Sequence, residues 1–319
     1  MQVTKQMVHP DLQSRFGALK FMASLMKRRW FLGLTNKLSS KFVAGRDIKG
    51  LDCEQRFVES SDGSWRIRVR IYRPQGHDGE LPALLYIHGG GYITGLPESV
   101  GAPISQFIET RPCVIIAPDY RKAFTEPFPA GFNDCYETLL WAQANAAELN
   151  IRADKFMVAG HSAGGGLTAA VTLKARDTQD VNIAFQMPIY PMIDDQQPDD
   201  AARAISSPVW DTELNRIGWA AYLAGLRERG EPVPAYAAPA RNTDYTGFPP
   251  TISFVGTLEP FYQEDVAYAQ ALRDAGVDVA FKEYPDCFHA FDFLSEAGVS
   301  QDALNFTYDS FAAFYDRYL

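Results

Sequence analysis

The sequence predicts an α/β domain with a mostly parallel central sheet that helices cover on both faces. Two observations favour this fold class. From residue 81 onward, short runs of uniformly apolar residues alternate with longer stretches of helical periodicity. Before them, an Asp-Gly turn joins two further strand-like runs. The 319 residues, 46% of them hydrophobic, are enough for one such domain to bury a full core without disulfides.

The first 50 residues precede this alternation. Apolar residues recur at helical spacing from Leu12 to Trp30, with Lys and Arg between them, and predict one or two helices that lie across the body of the protein. Residues 45–52 are expected to form a linker. Two strands over 55–59 and 65–72 follow, and the turn between them, Ser61-Asp62-Gly63-Ser64, predicts a hairpin.

The predicted parallel sheet occupies the rest of the chain. Its strands are predicted over 83–87, 114–117, 155–159, 184–188, 251–255 and 279–284. The intervening helices are predicted at about 99–110, 133–149, 163–176, 262–275 and 301–317. Between residues 191 and 250 the alternation gives way to a helical insert, about 213–226, and a Pro/Ala-rich loop. This insert and the N-terminal helices are the segments free to form a lid.

Composition excludes several classes of protein. The four cysteines show no CxxC or CxxH spacing, so we predict neither a structural zinc site nor a redox dithiol, and no metal or cofactor. A formal net charge of −9 argues against a nucleic-acid partner. The chain has no apolar run long enough to span a membrane and no signal-peptide pattern at its start, so we expect a cytoplasmic protein.

Charge is unevenly distributed along the chain. Residues 1–50 carry a net charge of +8, which leaves −17 for the remainder. Two interpretations remain open at this point. The basic segment is either an element docked on the acidic body, which we favour, or an amphipathic segment that touches anionic lipid.

The strongest chemical signal is Gly160-His161-Ser162-Ala163-Gly164, at the junction of a predicted strand and a predicted helix. Gly-x-Ser-x-Gly in that position is typical of a nucleophile elbow, which exposes its serine at the carboxyl end of a sheet. The alternative is a glycine-rich turn without a catalytic role. Placement between strand and helix favours the elbow, and Ser162 is the predicted nucleophile.

A second glycine motif, His88-Gly89-Gly90-Gly91, follows the predicted strand 83–87. Glycines let backbone N–H groups approach a substrate, and acyl transfer needs such donors for its oxyanion. We assign this role to Gly89, Gly90 and the N–H of Ala163. His88 is expected to orient the loop by hydrogen bonding. A phosphate cradle is disfavoured, because the run lacks the G-x-G-x-x-G spacing and a Lys or Ser/Thr partner.

A serine nucleophile needs a base, and the chain has five histidines. Four are set aside by position, two in an N-terminal arm and a polar loop and two in the glycine motifs: His9, His77, His88 and His161. The fifth, His289, follows the last predicted strand and comes after Ser162, as the order Ser, acid, His requires.

The acid of a serine triad is expected after the penultimate strand, 251–255. Glu259 is the first carboxylate there, and Pro260 stiffens its turn. Its role would be to accept the second ring N–H of the histidine. Glu264 and Asp265 are competitors, which we expect to lie one turn into the next helix and to face solvent.

Together these motifs resemble the hormone-sensitive lipase branch of the α/β-hydrolases, the short-chain esterases of bacteria and their relatives. The resemblance rests on the two glycine motifs and on four further stretches: Pro118-Asp119-Tyr120-Arg121, Pro127-Phe128-Pro129-Ala130, Gly247-Phe248-Pro249-Pro250-Thr251 and Phe288-His289-Ala290-Phe291. It covers the chain from about residue 55 to the C-terminus. The family usually has Asp-Pro-Leu-x-Asp at the acid turn, where this chain has Glu259-Pro260-Phe261-Tyr262-Gln263.

The resemblance implies an α/β-hydrolase fold, with a catalytic domain over 51–319 and a helical cap built from residues 1–50 and about 196–230 that limits acyl length. It also implies a serine carboxylesterase acting on short-chain acyl esters. Four aromatic residues are candidates for binding substrate, although helical spacing fits a core position for several of them equally well: Tyr92, Trp210, Trp219 and Tyr222.

Two other functions are known to occur on the fold that this resemblance implies. An amide or formamide hydrolase would use the same triad with a leaving nitrogen. A small-molecule receptor on this fold, as in the plant gibberellin receptors, is disfavoured because such receptors lose a triad member and this chain retains Ser162 and His289. The expected partner is a small ester, and a homodimer is left open.

Overall fold

The computed structural model describes residues 1–77 and 79–319. Within them the chain forms one eight-stranded sheet in the order β1-β2-β4-β3-β5-β6-β7-β8. The strand β2 runs antiparallel to both of its neighbours, and the other neighbouring pairs are parallel. The predicted α/β fold with a mostly parallel sheet is therefore confirmed.

The strands have the following bounds: β1 Leu51–Glu59, β2 Arg66–Pro74, β3 Leu81–Ile87, β4 Val114–Asp119, β5 Ile151–His161, β6 Ile183–Ile189, β7 Thr251–Gly256 and β8 Val279–Tyr284. Every side chain of β3 and of β7 is buried, as expected for strands covered on both faces. The last strand, β8, differs from the prediction of a uniformly apolar run. It is an edge strand, and most of its side chains are only half-buried.

The α-helices have the following bounds: α1 Phe16–Met26, α2 Arg29–Phe42, α3 Gly101–Thr110, α4 Ala130–Ala144, α5 Ala163–Thr178, α6 Thr212–Tyr222, α7 Ala224–Arg229, α8 Tyr262–Asp274 and α9 Gly298–Tyr318. Short 3-10 turns lie at Lys5–Met7, Pro10–Leu12, Pro97–Val100, Gln197–Asp199, Ala201–Arg203, Pro239–Arg241 and Phe291–Phe293. None of the helices in the described part of the chain is long and apolar enough to cross a membrane.

Several predicted boundaries differ from the structure by a few residues, and two differences change how the chain is divided into elements. The linker predicted over 45–52 ends earlier, because β1 begins at Leu51 and pairs with Pro74 of β2. The insert helix predicted over 213–226 is divided into α6 and α7 at Leu223, whose backbone leaves the helical region.

Apolar side chains form a core on each face of the sheet. On one face α3 and α9 pack with alternate residues of the central strands, through side chains such as Phe107 and Phe311. On the other face α4 and α5 pack through Leu139 and Leu167, and α8 joins α5 through Leu272. The carboxyl ends of the parallel strands remain free of this packing, and the candidate site lies there.

Candidate active site

Ser162 stands alone between β5 and α5. Its φ of +59° and ψ of −122° are strained for a residue with a side chain. The turn is tight on both sides. A Cβ on Gly160 would lie 2.4 Å from the carbonyl oxygen of Gly164, and a Cβ on Gly164 would lie 2.1 Å from that of Ile87. Only glycine fits at these two positions, which explains the Gly-x-Ser-x-Gly spacing.

The structure brings the predicted nucleophile, base and acid into one hydrogen-bonded chain. Ser162 Oγ donates to His289 Nε2 over 2.9 Å, and His289 Nδ1 donates to Glu259 Oε2 over 2.5 Å. The other oxygen of Glu259 accepts the N–H of Gly256 over 3.1 Å, which holds the carboxylate in its turn. All three side chains are buried, with 8%, 3% and 3% of their surface exposed for Ser162, His289 and Glu259.

Aromatic rings enclose the imidazole of His289. The ring of Phe261 meets it edge-on, with centroids 5.0 Å apart, and that of Tyr190 does so at 4.9 Å. The Tyr190 hydroxyl donates to Asp292 over 2.9 Å, so this ring is fixed at both ends. Sequence reasoning missed Tyr190 and Phe261. Tyr190 directly follows β6 and Phe261 directly follows the acid turn, and these positions in the sequence could have identified them.

The second glycine motif lies against the nucleophile. A Cβ on Gly89 would lie 2.8 Å from the carbonyl oxygen of His161 and 3.4 Å from the Cβ of Ser162. The N–H groups of Gly89, Gly90 and Ala163 donate no hydrogen bond to any described residue. Ala163 is also the first residue of α5, where the helix dipole favours negative charge.

The histidines of the two glycine motifs are structural. His88 donates its Nδ1–H to the carbonyl of Gly89 over 2.8 Å and stacks on Tyr120 with ring centroids 4.4 Å apart. The ring nitrogen Nδ1 of His161 hydrogen-bonds to the hydroxyl of Tyr86 over 2.6 Å. Burial lowers the pKa of both imidazoles to about 3 and keeps them neutral. His88 thus holds the loop in the way expected of it.

The expected solvent exposure of the two competing acids was wrong. Glu264 and Asp265 are both buried in the first turn of α8. Glu264 accepts the N–H groups of Ile193 and Asp194 over 2.9 and 3.0 Å, so it ties α8 to the loop after β6. Neither oxygen of Asp265 has a partner among the described residues. Burial raises the pKa of both carboxyls well above the usual range, and the charge of Glu264 raises that of Asp265 further.

The four candidate substrate-binding aromatics divide into two groups. The ring of Trp210 lies over Gly91, and its centroid is 6.5 Å from that of His289. The other three form a buried cluster, in which the rings of Tyr92 and Tyr222 stack at 4.0 Å and that of Trp219 lies 5.4 Å from Tyr92. The Tyr92 hydroxyl donates to the carbonyl of Met192. Of the four, the structure brings Trp210 to the imidazole.

Several known proteins with similar sequences are esterases. A family model described as alpha/beta hydrolase fold matches residues 84–293. Carboxylesterase NlhH of Mycobacterium tuberculosis is 33% identical over 246 residues, which cover 76% of each chain. The arylesterase of Saccharolobus solfataricus is 29% identical over 263 residues, which cover 80% of this chain and 81% of that one.

Solved structures agree. A bacterial heroin esterase superposes with a TM-score of 0.85 at 31% identity, over 98% of this chain and 99% of its own. Esterase LipW from Mycobacterium marinum does so with a TM-score of 0.79 at 26% identity, over 98% of this chain and 97% of its own. The chain belongs to the α/β-hydrolase fold family, and within it to the carboxylesterases of the hormone-sensitive lipase type.

Proposed function

We propose that this protein is a serine carboxylesterase for short-chain acyl esters and that it works through an acyl-enzyme. The observation that carries the proposal is the hydrogen-bonded chain from Ser162 through His289 to Glu259. In it a neutral imidazole accepts the serine proton while a carboxylate holds the other ring N–H, the arrangement that nucleophilic catalysis by serine requires.

The reaction proceeds in two halves. His289 Nε2 takes the proton as Ser162 Oγ attacks the ester carbonyl, and the N–H groups of Gly89, Gly90 and Ala163 bind the oxyanion. His289 then protonates the leaving alcohol and an acyl-serine forms. In the second half His289 takes a proton from water, the hydroxide attacks the acyl carbon, and the carboxylic acid leaves as Ser162 recovers its proton.

The surroundings of the imidazole and of the backbone N–H groups favour their roles in the reaction. The rings of Phe261 and Tyr190 keep water from the imidazole, so the attraction between Glu259 and the imidazolium acts in a low dielectric. The backbone N–H groups are fixed before the reaction. His88 hydrogen-bonds to the carbonyl of Gly89 and so holds the glycine loop, and Ala163 is held as the first residue of α5. Loss of one such donor costs about 10²–10³-fold in turnover in serine hydrolases.

Hydrolysis of p-nitrophenyl esters of increasing acyl length tests the proposal. We expect Ser162→Ala to lower kcat/KM by about 10⁴-fold or more and Glu259→Gln by several hundredfold or more. Asp265→Asn is the matched control, since it changes a buried carboxyl in the same segment to an amide, and it should retain activity. Equal rates for the wild type and Ser162→Ala would end the hydrolase proposal, and the loss appearing in Asp265→Asn instead would reassign the acid.

The cap is proposed to set acyl length through Trp210. Its ring lies over the glycine loop beside His289 and fills space that a longer acyl chain would need. Trp210→Ala is expected to raise kcat/KM for the octanoyl ester relative to the acetyl ester by at least tenfold. Trp219→Phe is the control, because Trp219 packs in the buried cluster and its change should leave that ratio within a factor of two. An unchanged ratio in Trp210→Ala would remove this residue from the acyl pocket.

A further inference from the structure

One surface of the molecule concentrates exposed apolar side chains. Ten large hydrophobic residues are exposed in the described part of the chain, and six of them lie on α1 and α2. We call these six the apolar stripe: Phe21, Met22, Trp30, Leu34, Leu38 and Phe42. Trp30 and Phe21 keep 63% and 64% of their surface exposed. On α2, Trp30, Leu34 and Leu38 follow one another at four-residue spacing, so their side chains are neighbours on one face of the helix. A contiguous apolar surface marks an interaction site, whereas single exposed residues do not.

The other side of the same two helices is already engaged. Ala23 and Leu32 are buried in the core. The side-chain amide of Asn36 donates to the carbonyl of Ile93, in the loop after β3, over 2.9 Å. The helices are thereby held in one orientation, and the apolar stripe faces away from the body of the protein.

Positive charge accompanies the stripe. Part of the basic segment is paired with the acidic body, as Lys27 is with Asp211 and Glu213 at 2.7 Å. By contrast, Lys37 and Lys41 are exposed and form no ion pair within the described residues. Both lie on α2 at helical spacing from Leu34 and Leu38, so that side chains of the two kinds share one face. The ion pairs of Lys27 support the docked interpretation for one face of the two helices, and the opposite face stays free for a second contact.

We propose that the apolar stripe and its lysines dock on the surface of an anionic phospholipid bilayer. Trp30 and the leucines would enter the interface, and the lysines would extend their charged ends to the lipid phosphates. The rest of the chain carries a net charge of −17 and is repelled overall by such a surface, which favours approach with this face. The proposal does not depend on the hydrolase activity, and it describes contact with a surface without insertion across it.

Sedimentation with large unilamellar vesicles tests the docking. The Ser162→Ala chain is used so that lipid hydrolysis cannot alter the vesicles, and its bound fraction is compared on phosphatidylglycerol and on phosphatidylcholine. We expect at least tenfold stronger partition to phosphatidylglycerol, and a large decrease of this partition in 0.5 M salt. Each cation near an anionic surface strengthens binding by about fivefold. Lys37→Glu with Lys41→Glu should therefore weaken it by more than tenfold.

Matched variants decide which surface binds. Trp30→Ser with Leu34→Ser and Leu38→Ser should abolish sedimentation with phosphatidylglycerol vesicles. Phe57→Ser with Trp65→Ser is the control, because these two residues are equally exposed on the β1–β2 hairpin and should not be needed. Thermal melting of each variant shows that it is folded.

Three outcomes would overturn the proposal: no sedimentation of the parent chain with phosphatidylglycerol, equal loss of sedimentation in the Phe57/Trp65 variant, or a dimer in light scattering that the stripe variant dissociates. The last result would assign the stripe to a second copy of this chain. Activity on soluble esters is measured separately, so failure of the docking and failure of the proposed function remain distinguishable.

Discussion

Burial decides the charge of the ionisable residues around the triad. Asp265 lies without a hydrogen-bond donor in the first turn of α8, whereas its neighbour Glu264 accepts two backbone N–H groups. Burying an ionised carboxylate costs more free energy when no N–H or O–H group donates to it. Of the two residues, Asp265 is therefore the one that carries the proton. The buried carboxyl of Asp292, beside Tyr190, likewise has its pKa raised to about 7 by burial. By contrast with these buried carboxyls, Glu259 has a hydrogen-bond partner at each of its two oxygens.

The stability of Asp265→Asn relative to the wild type should therefore increase as pH rises. A raised pKa in the folded state gives a contribution that is complete below the unfolded pKa of about 4 and is lost as pH rises through the folded pKa. Asparagine cannot titrate and keeps its contribution constant. Above that unfolded pKa the difference in the free energy of unfolding, variant minus wild type, should grow with pH, by up to about 1.4 kcal/mol per pH unit. Urea denaturation at several pH values measures it.

The slope of that difference with pH is the decisive quantity, since any constant cost of burying an amide affects every pH equally. Asp309→Asn, at an exposed position of α9, is the control, since it makes the same substitution without burial. A flat line for Asp265→Asn would mean that this carboxyl is ionised in the folded protein.

At the scale of elements, the site depends on how closely β5, α5 and the loop after β3 approach one another. The strand β5 delivers Ser162 at the carboxyl edge of the sheet, and α5 begins at the next residue. The carbonyl of Ser162 accepts hydrogen bonds from the N–H groups of Gly166 and Met192. The N–H of Ser162 donates to the carbonyl of Ile189. These backbone contacts hold the strained turn in place.

Gly164→Ala should destabilise the protein by more than about 3 kcal/mol or prevent folding, because the added Cβ would lie 2.1 Å from one backbone oxygen and 2.6 Å from another. Gly33→Ala is the matched control within α2. Nothing lies within 4 Å of its Cβ position, so alanine should add about 0.5–1 kcal/mol of stability through its helix propensity. Thermal and urea denaturation compare the two. Similar shifts in both variants would show that the close approach at the elbow is absent.

At the scale of the whole molecule, stability is unevenly distributed. Most of α5 is buried between the sheet and other helices, whereas α1 buries only Ala23 and α2 only Leu32 among their described residues. Polar contacts supply much of the remaining attachment, such as the ion pairs of Lys27 with Asp211 and Glu213. Segments with few buried apolar contacts open at low free energy without global unfolding.

Amide hydrogen exchange should show this difference directly. We expect the amides of α1 and α2 to exchange at least a hundredfold faster than those of α5, because the two helices can leave the body while the sheet stays intact. In 0.5 M salt, exchange in α1 and α2 should accelerate further, since salt screens the pair of Lys27 with the exposed Glu213, and exchange in α5 should not. Equal protection of all three helices would indicate that the N-terminal helices unfold only with the rest of the protein.

Much of the site could be predicted from residue order and chemistry. Glycine at positions 160 and 164 is required by the elbow itself, and the chain has few histidines, so elimination led to His289. The environment of Glu264 and Asp265 could not be predicted. Their place in the first turn of α8 suggests solvent exposure, but the loop after β6 contacts Glu264 there, and both side chains are buried.

The sequence by itself determined the alternation of strands and helices, the family, and which strands the site motifs follow, because these depend on local periodicity and on motifs a few residues long. Only the tertiary structure decided that Trp210 reaches the imidazole while Trp219 packs behind it, and that one face of the N-terminal helices is docked while the other is bare. Those outcomes depend on how segments distant in sequence pack together, and periodicity along the chain contains no information about which neighbour will cover a given face.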